Sequence, residues 1–95
     1  MSDPTDFLHT DKQAEILRHV LAAADAGAFL DIHALKKRLS YGAAVTVQAV
    51  DCSLRFLERH GMLERFHAPV AGRGAYKRVH VKPTPRAYTV FRGGP

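Results

Sequence analysis

The feature that most constrains the fold is a stripe of apolar residues at helical spacing in the middle of the chain. Between Ala43 and His60 the stripe consists of Val47, Val50, Leu54 and Leu57. Residues three and four apart share one face of an α-helix, so the stripe predicts a helix that packs against other elements. Gly61 follows directly and is typical of the left-handed residue that ends a helix.

Two further amphipathic stretches precede this helix. Thr10 and Gln13 have the spacing of a capping box, and the apolar residues after them share one face up to Gly27. Asp31 is a good N-cap for a second, short helix with apolar positions Ile32, Leu35 and Leu39. Residues 40 to 42 break the period as a turn. The sequence therefore predicts three successive helices.

After the third helix the chain changes to the pattern of strands. Residues 62 to 67 and residues 75 to 81 are rich in strand-forming side chains. In the segment between them, residues 68 to 74, two glycines flank Arg73, which predicts a hairpin with an exposed basic tip. We expect His67 and His80 to face one another across this hairpin and to respond to pH together.

The end of the chain predicts one more element. Thr84 and Pro85 fit the N-cap and first turn of a short helix that runs to Arg92. The predicted fold class is mostly α with a small β-hairpin, an α+β fold of three helices, a hairpin and a short C-terminal helix. The predicted organisation is an N-terminal arm over residues 1 to 9, one domain over residues 10 to 92 and a tail over residues 93 to 95.

Positive charge is concentrated in the second part of the chain. The net charge is +5, but residues 1 to 35 carry two basic and six acidic groups, whereas residues 36 to 95 carry twelve basic and three acidic groups. A basic region of this kind is the electrostatic footprint of a protein that binds a polyanion. The alternative is that the charge serves solubility alone.

Composition argues against several classes of protein. No stretch approaches the roughly 18 apolar residues of a membrane span, and the opening residues 1 to 3 lack the basic start of a secretory signal, so we expect a cytoplasmic, nucleoid-associated protein. No two of the six histidines have the four-residue spacing of a helical zinc site, so no metal is expected. The sequence contains no phosphate-binding loop or nucleophile elbow, and we expect neither an enzyme nor a cofactor.

The single cysteine, Cys52, has two interpretations. It lies on the predicted outward side of the third helix beside Arg55, which favours an oxidation-sensitive thiol. The preferred interpretation is a small hydrophobic residue, because free cysteines are most often buried. One cysteine allows no internal disulfide in either case.

Two segments resemble winged helix-turn-helix transcription regulators. Residues 57 to 63, Leu-Glu-Arg-His-Gly-Met-Leu, resemble the end of the recognition helix in these proteins. Residues 78 to 88, with their threonine-proline pair, resemble the second wing strand and following helix of MarR-like and PadR-like regulators, although Ala87 stands where those families usually carry glycine. The resemblance covers about residues 10 to 92. It implies a third helix in the major groove and a wing on the phosphate backbone or the adjacent minor groove.

The outward side chains of the third helix suit this role. Gln48 can pair with adenine, Arg55 with guanine, and Thr46 can bind a phosphate or a base. Basic residues of the second helix and of the hairpin would contact phosphates. The predicted DNA-binding residues are Lys36, Lys37, Thr46, Gln48, Ala49, Cys52, Arg55, Arg59, Arg73, Lys77 and Arg78.

Asp51 is the exception on this helix, because a carboxylate near the groove repels phosphate. It would either accept a hydrogen bond from a cytosine amine or pair locally within the protein. The local role is preferred.

The predicted function is therefore sequence-specific binding of double-stranded DNA by a small transcription regulator. A homodimer would match a palindromic site, with the first and last helices as candidate interfaces and Tyr88 and Phe91 on the last helix. The alternative is a winged-helix module that binds a protein partner through exposed Val45, Phe56 and Cys52.

Overall fold

The computed structural model describes residues 11–69 and 77–92 of the chain. These residues form four α-helices and a three-stranded antiparallel sheet. The elements in chain order are α1 (Asp11–Asp25), β1 (Leu30–Asp31), α2 (Ile32–Arg38), a 3-10 helix (Gly42–Ala44), α3 (Val47–Arg59), β2 (Leu63–Pro69), β3 (Lys77–Pro83) and α4 (Pro85–Arg92). The predicted α+β class is confirmed.

The predicted helix boundaries are confirmed where a local cap defines them. At the start of α2, the Asp31 side chain accepts a hydrogen bond from the Ala34 amide at 2.8 Å. At the start of α4, the Thr84 hydroxyl accepts one from the Ala87 amide at 3.3 Å. Gly61, directly after the turn that ends α3, has a positive φ of 75°, a conformation that costs glycine no steric strain. Thr10 of the predicted capping box lies outside the described residues.

The predicted start of α3 is wrong by four residues. The chain forms a separate 3-10 helix over Gly42–Ala44, and Val45 is extended, with φ −131° and ψ 159°. Thr46 is the N-cap of α3, and its hydroxyl accepts a hydrogen bond from the Ala49 amide at 3.1 Å. A threonine hydroxyl at the N-cap satisfies one of the amides that a helix start leaves without a partner, so it places the boundary here.

The sheet contains one strand more than predicted. β3 is its central strand, with β2 on one side and the two-residue β1 on the other, where Leu30 pairs with Val81. β2 ends at Pro69 and β3 ends at Pro83, each two residues later than predicted, and the register pairs Pro69 with Lys77 and Leu63 with Pro83. Residues 70 to 76, which include the predicted hairpin tip at Arg73, lie outside the described residues.

The predicted contact between His67 and His80 is wrong. The β2–β3 register places His80 opposite Phe66 and His67 opposite Val79. Side chains alternate between the two faces of a strand, so the two histidines point to opposite faces of the sheet.

The core lies between the α-helices and one face of the sheet. Leu63 and Val81 project from the sheet into it, and the α3 stripe contributes Val50, Leu54 and Leu57, all buried. Within residues 11–69 and 77–92 no polar or charged side chain is buried. Every polar or charged side chain of the described residues is therefore at least partly exposed.

A carboxylate of α1 holds the turn that follows α2. The backbone amide and the hydroxyl of Ser40 both donate hydrogen bonds to Glu15, the hydroxyl at 2.7 Å from Oε1. Hydrogen bonds to a carboxylate favour its charged form, and those from Ser40 lower the pKa of Glu15 below its usual 4.5.

Replacing Glu15 with alanine is expected to reduce the free energy of unfolding at pH 7, and to reduce it less at acidic pH. Because the pKa of Glu15 is lowered in the folded state, its contribution is present above the unfolded value of 4.5 and is lost as the pH falls through the folded value. Urea unfolding of both proteins at several pH values measures the difference. Glu64→Ala is the control, since Glu64 is exposed on the sheet and pairs only with Lys82 at 3.4 Å among described residues. If Glu15→Ala lowered the free energy of unfolding equally at neutral and acidic pH, the result would contradict a stabilising role of the charged Glu15 carboxylate.

Candidate nucleic-acid interface

One side of α3 is exposed along its whole length. Gln48, Cys52, Arg55 and Arg59 lie opposite the buried stripe, as predicted, and we call these four residues the α3 outward face. Cys52 is exposed, so its interpretation as a buried hydrophobic residue is wrong. No described residue forms a side-chain hydrogen bond or ion pair with Gln48 or Arg59, so both are available to a ligand.

The N-terminal end of this face is built differently from the prediction. Thr46 is the cap of α3 and not a residue of its first turn, and its oxygen already accepts the hydrogen bond from the Ala49 amide. The hydroxyl hydrogen remains as a donor for a phosphate or a base acceptor. Thr46 and Ala49 are both exposed.

Asp51 is paired within the protein, as the preferred prediction states. Its Oδ2 accepts a hydrogen bond from Nε of Arg55 at 2.8 Å, and its Oδ1 lies 3.3 Å from Nη1 of Arg65 on β2. Nε of Arg65 in turn lies 3.0 Å from Oε1 of Glu58. The hydrogen bond that Arg55 donates to Asp51 raises the pKa of the Arg55 guanidinium, and the negative charge of Asp51 raises it further.

Arg65 is the residue of this region that the sequence prediction missed. The four-residue spacing of Asp51 and Arg55 predicts their contact on one helix. Arg65 reaches the same carboxylate only because Gly61 turns the chain and β2 returns along α3. No periodicity in the sequence indicates that return.

The basic end of α2 has a local explanation as well as a functional one. Lys36, Lys37 and Arg38 form its last turn, where positive charge is favourable near the helix C-terminus. Lys37 and Arg38 are exposed and Lys36 is half-buried. No carboxylate of the described chain forms an ion pair with the three side chains, so they add positive potential beside α3.

The structure separates the two predicted basic residues of β3. Lys77 shares its face with Val81, which points into the core, whereas Arg78 points to the opposite face. Lys77 is exposed, and Arg78 is half-buried with its Nη1 at 3.9 Å from Oδ1 of Asp31. Lys77 is therefore the better placed of the two for a contact shared with the α3 outward face.

Apolar exposure lies on the outer sheet face and not where it was predicted. Val45 and Phe56 are half-buried and pack against the core, so two of the three side chains expected to bind a protein partner are partly withdrawn. Phe29, just before β1, is 49% exposed and is the large exposed hydrophobic residue of the described chain. Its ring contacts Phe66 at 5.8 Å between centroids, and Phe66 contacts His80 at 5.6 Å.

Residues 11–69 and 77–92 contain no cluster of three or more side chains that could hold a metal ion. No helix among them combines the length and apolarity needed to cross a bilayer. An open, mostly apolar pocket beside α4 is lined by Pro83, Pro85, Tyr88 and Thr89.

Comparison of the chain with protein-family models, with curated proteins and with solved structures found no match. Function has to be inferred from the arrangement of the chain's own residues.

Proposed function

We propose that the protein binds double-stranded DNA sequence-specifically as a small winged helix-turn-helix transcription regulator. In this proposal α3 enters the major groove and the β2–β3 hairpin lies on the sugar-phosphate backbone. The observation that carries it is the α3 outward face, a continuous exposed surface with two arginines and a glutamine on a helix whose other side is fixed in the core.

The dimensions of α3 support this placement. The helix has 13 residues, which gives it a length of about 20 Å. A helix with its side chains is about 10–12 Å wide, and the major groove is about 12 Å wide. Gln48 and Arg55 are side chains that form paired hydrogen bonds with adenine and guanine edges.

The order of the elements and the charge also support it. The described residues contain three α-helices followed by two antiparallel strands, an order that supports the arrangement that the resemblance implies. The exposed cations at Lys37, Arg38, Arg59 and Lys77 belong to the part of the chain with net charge +9. Such a surface attracts phosphates through release of bound counterions.

A homodimer on a palindromic site belongs to the proposal, but the two aromatic side chains of α4 expected at its interface are only partly accessible. Tyr88 and Phe91 are half-buried and pack against the protein's own core. We therefore expect that dimer formation is weak in solution and favoured by DNA. Light scattering of the free protein and of its complex with a selected duplex measures both states.

The experiment that tests the proposal is a fluorescence-anisotropy titration with a random-sequence duplex at several salt concentrations. Non-specific binding is expected with a dissociation constant of about 10⁻⁴ to 10⁻⁶ M at physiological salt, and it should weaken steeply as salt increases. Absence of binding even at low salt would contradict the proposal. A pull-down of protein partners would then test the alternative, a winged-helix module that binds another protein.

Two variants of the α3 outward face are expected to separate backbone contacts from base contacts. Arg59→Ala should weaken binding to all duplexes and reduce the slope of log K against log salt by about 0.9, the value for one phosphate contact. Gln48→Ala should leave the slope unchanged and alter the preferred sequence found by selection from a random library. Arg18→Ala, which removes an exposed cation from α1, is the charge-matched control and should change neither. An unchanged slope in Arg59→Ala would remove Arg59 from the interface.

A further inference from the structure

We propose that Asp51 is a positioning residue that orients Arg55 to bind a guanine in the major groove. The inference rests on the proposed function and assigns one base preference to one side chain. Asp51 itself would not touch DNA. Its carboxylate would hold the arginine in one orientation before the duplex arrives.

The hydrogen bond between the two side chains uses the inner nitrogen of the guanidinium. Nε of Arg55 donates to Oδ2 of Asp51 at 2.8 Å. The two Nη groups are at the far end of the same planar group, and 61% of the Arg55 side chain is exposed. Those groups are the ones that donate in parallel to O6 and N7 of guanine.

The carboxylate is itself fixed by a second element. Nη1 of Arg65, on β2, lies 3.3 Å from Oδ1 of Asp51, and Nε of Arg65 is held at 3.0 Å by Glu58. The side chains of Asp51 and Arg65 are only 23% and 22% exposed. An exposed pair on one helix turn contributes little order by itself, whereas the Asp51 carboxylate is also held through its other oxygen by Arg65.

The negative charge of Asp51 favours bases over phosphates as the target of Arg55. Asp51 cancels part of the long-range attraction between Arg55 and the backbone. Fixed hydrogen-bond geometry, in contrast, is what discriminates guanine from the other bases. Arg59, for which no ion pair exists among the described residues, lacks this restraint and suits a phosphate.

The test compares four proteins on one selected duplex and on variants that replace each guanine in turn. In the wild type, replacing the guanine that contacts Arg55 should weaken binding by about 5- to 150-fold, the range for one paired contact. We call this fold-loss of affinity the guanine ratio. Asp51→Asn should reduce the guanine ratio to about threefold or less. Its binding to random duplex should be kept or strengthened, because a negative charge is lost. Arg55→Ala removes the guanidinium that makes the paired contact, and should lose the same preference.

Glu64→Gln is the matched control. It removes one negative charge from the exposed outer face of the sheet, so binding to random duplex should be kept or strengthened as in Asp51→Asn. Its guanine ratio should stay at the wild-type value. This control separates a change of net charge from a change in the orientation of Arg55.

Each outcome has one meaning. A wild-type ratio in Asp51→Asn, or a retained guanine preference in Arg55→Ala, would overturn the inference and leave the proposed function standing. Failure of the wild type to bind any duplex would overturn both. Thermal denaturation checks that each variant is folded. If Asp51→Asn does not fold, Arg65→Gln takes its place, because it removes the anchor of Asp51 and should lower the same ratio.

Discussion

Leu54→Ala is expected to lower the free energy of unfolding by about 2–5 kcal/mol, the range for deletion of a fully buried leucine side chain. Leu54 is 0% exposed and lies at the middle of the α3 stripe that faces the core. A domain of this size has a total stability of about 5–15 kcal/mol, so the variant should populate the unfolded state in mild denaturant. Urea unfolding followed by circular dichroism measures the change.

Cys52→Ala is the matched control for Leu54→Ala. It truncates a residue of the same helix two positions away, but Cys52 is exposed, and the expected change is within about 0.5 kcal/mol. The dependence of the unfolding free energy on urea should be equal in both variants. A loss below about 1 kcal/mol in Leu54→Ala would mean that water reaches the site or that the structure relaxes to fill the cavity. Such a result would contradict the burial of this side of α3 in the core.

The sequence predicted those elements whose boundaries depend on neighbouring residues. Asp31 caps α2 and the Thr84 hydroxyl bonds the first turn of α4, and in each case the cap lies within three residues of the amide that it satisfies. The buried stripe of α3 followed from its period alone. The α3 outward face was therefore predicted correctly as the complement of that stripe.

Features that depend on distant parts of the chain were not predicted. β1 has two residues, too few for a period, and exists because Leu30 pairs with Val81 far along the chain. The register that separates His67 from His80 is likewise fixed by pairing. Arg65 was likewise not predicted as a site residue, because only the return of β2 along α3 brings it to Asp51.

The connection between α2 and α3 is where local signals conflicted. The period of α3 can be extended back to Ala43, but Thr46 is a strong cap and Val45 is extended. The chain resolves this with the 3-10 helix over Gly42–Ala44. That helix begins at Gly42, which packs tightly against the backbone at the end of α2.

Gly42→Ala is expected to destabilise the protein by about 1–3 kcal/mol or more, the usual cost of overfilling a packed site. A Cβ at this position would overlap the carbonyl oxygen of Lys36, whereas real Cβ contacts stay above 3.0 Å. That oxygen is backbone and accepts the amide of Leu39 at 3.3 Å, so no flexible side chain can move aside. The end of α2 or the 3-10 helix must shift, and α3 starts directly afterwards. Urea unfolding measures the loss, and titrations with the selected duplex and with random duplex should show a smaller difference in affinity than in the wild type.

Gly27 provides the comparison that identifies the cause. Its φ is +76°, but no atom lies within 4 Å of a Cβ placed there, so Gly27→Ala meets only left-handed strain of roughly 1–2 kcal/mol. Asparagine tolerates that conformation better than alanine, and Gly27→Asn should recover part of the loss. At Gly42 the obstacle is a steric overlap, so Gly42→Asn should be no more stable than Gly42→Ala. Recovery by asparagine at Gly42, or wild-type stability of Gly42→Ala, would mean that α2 and the 3-10 helix are not in close contact.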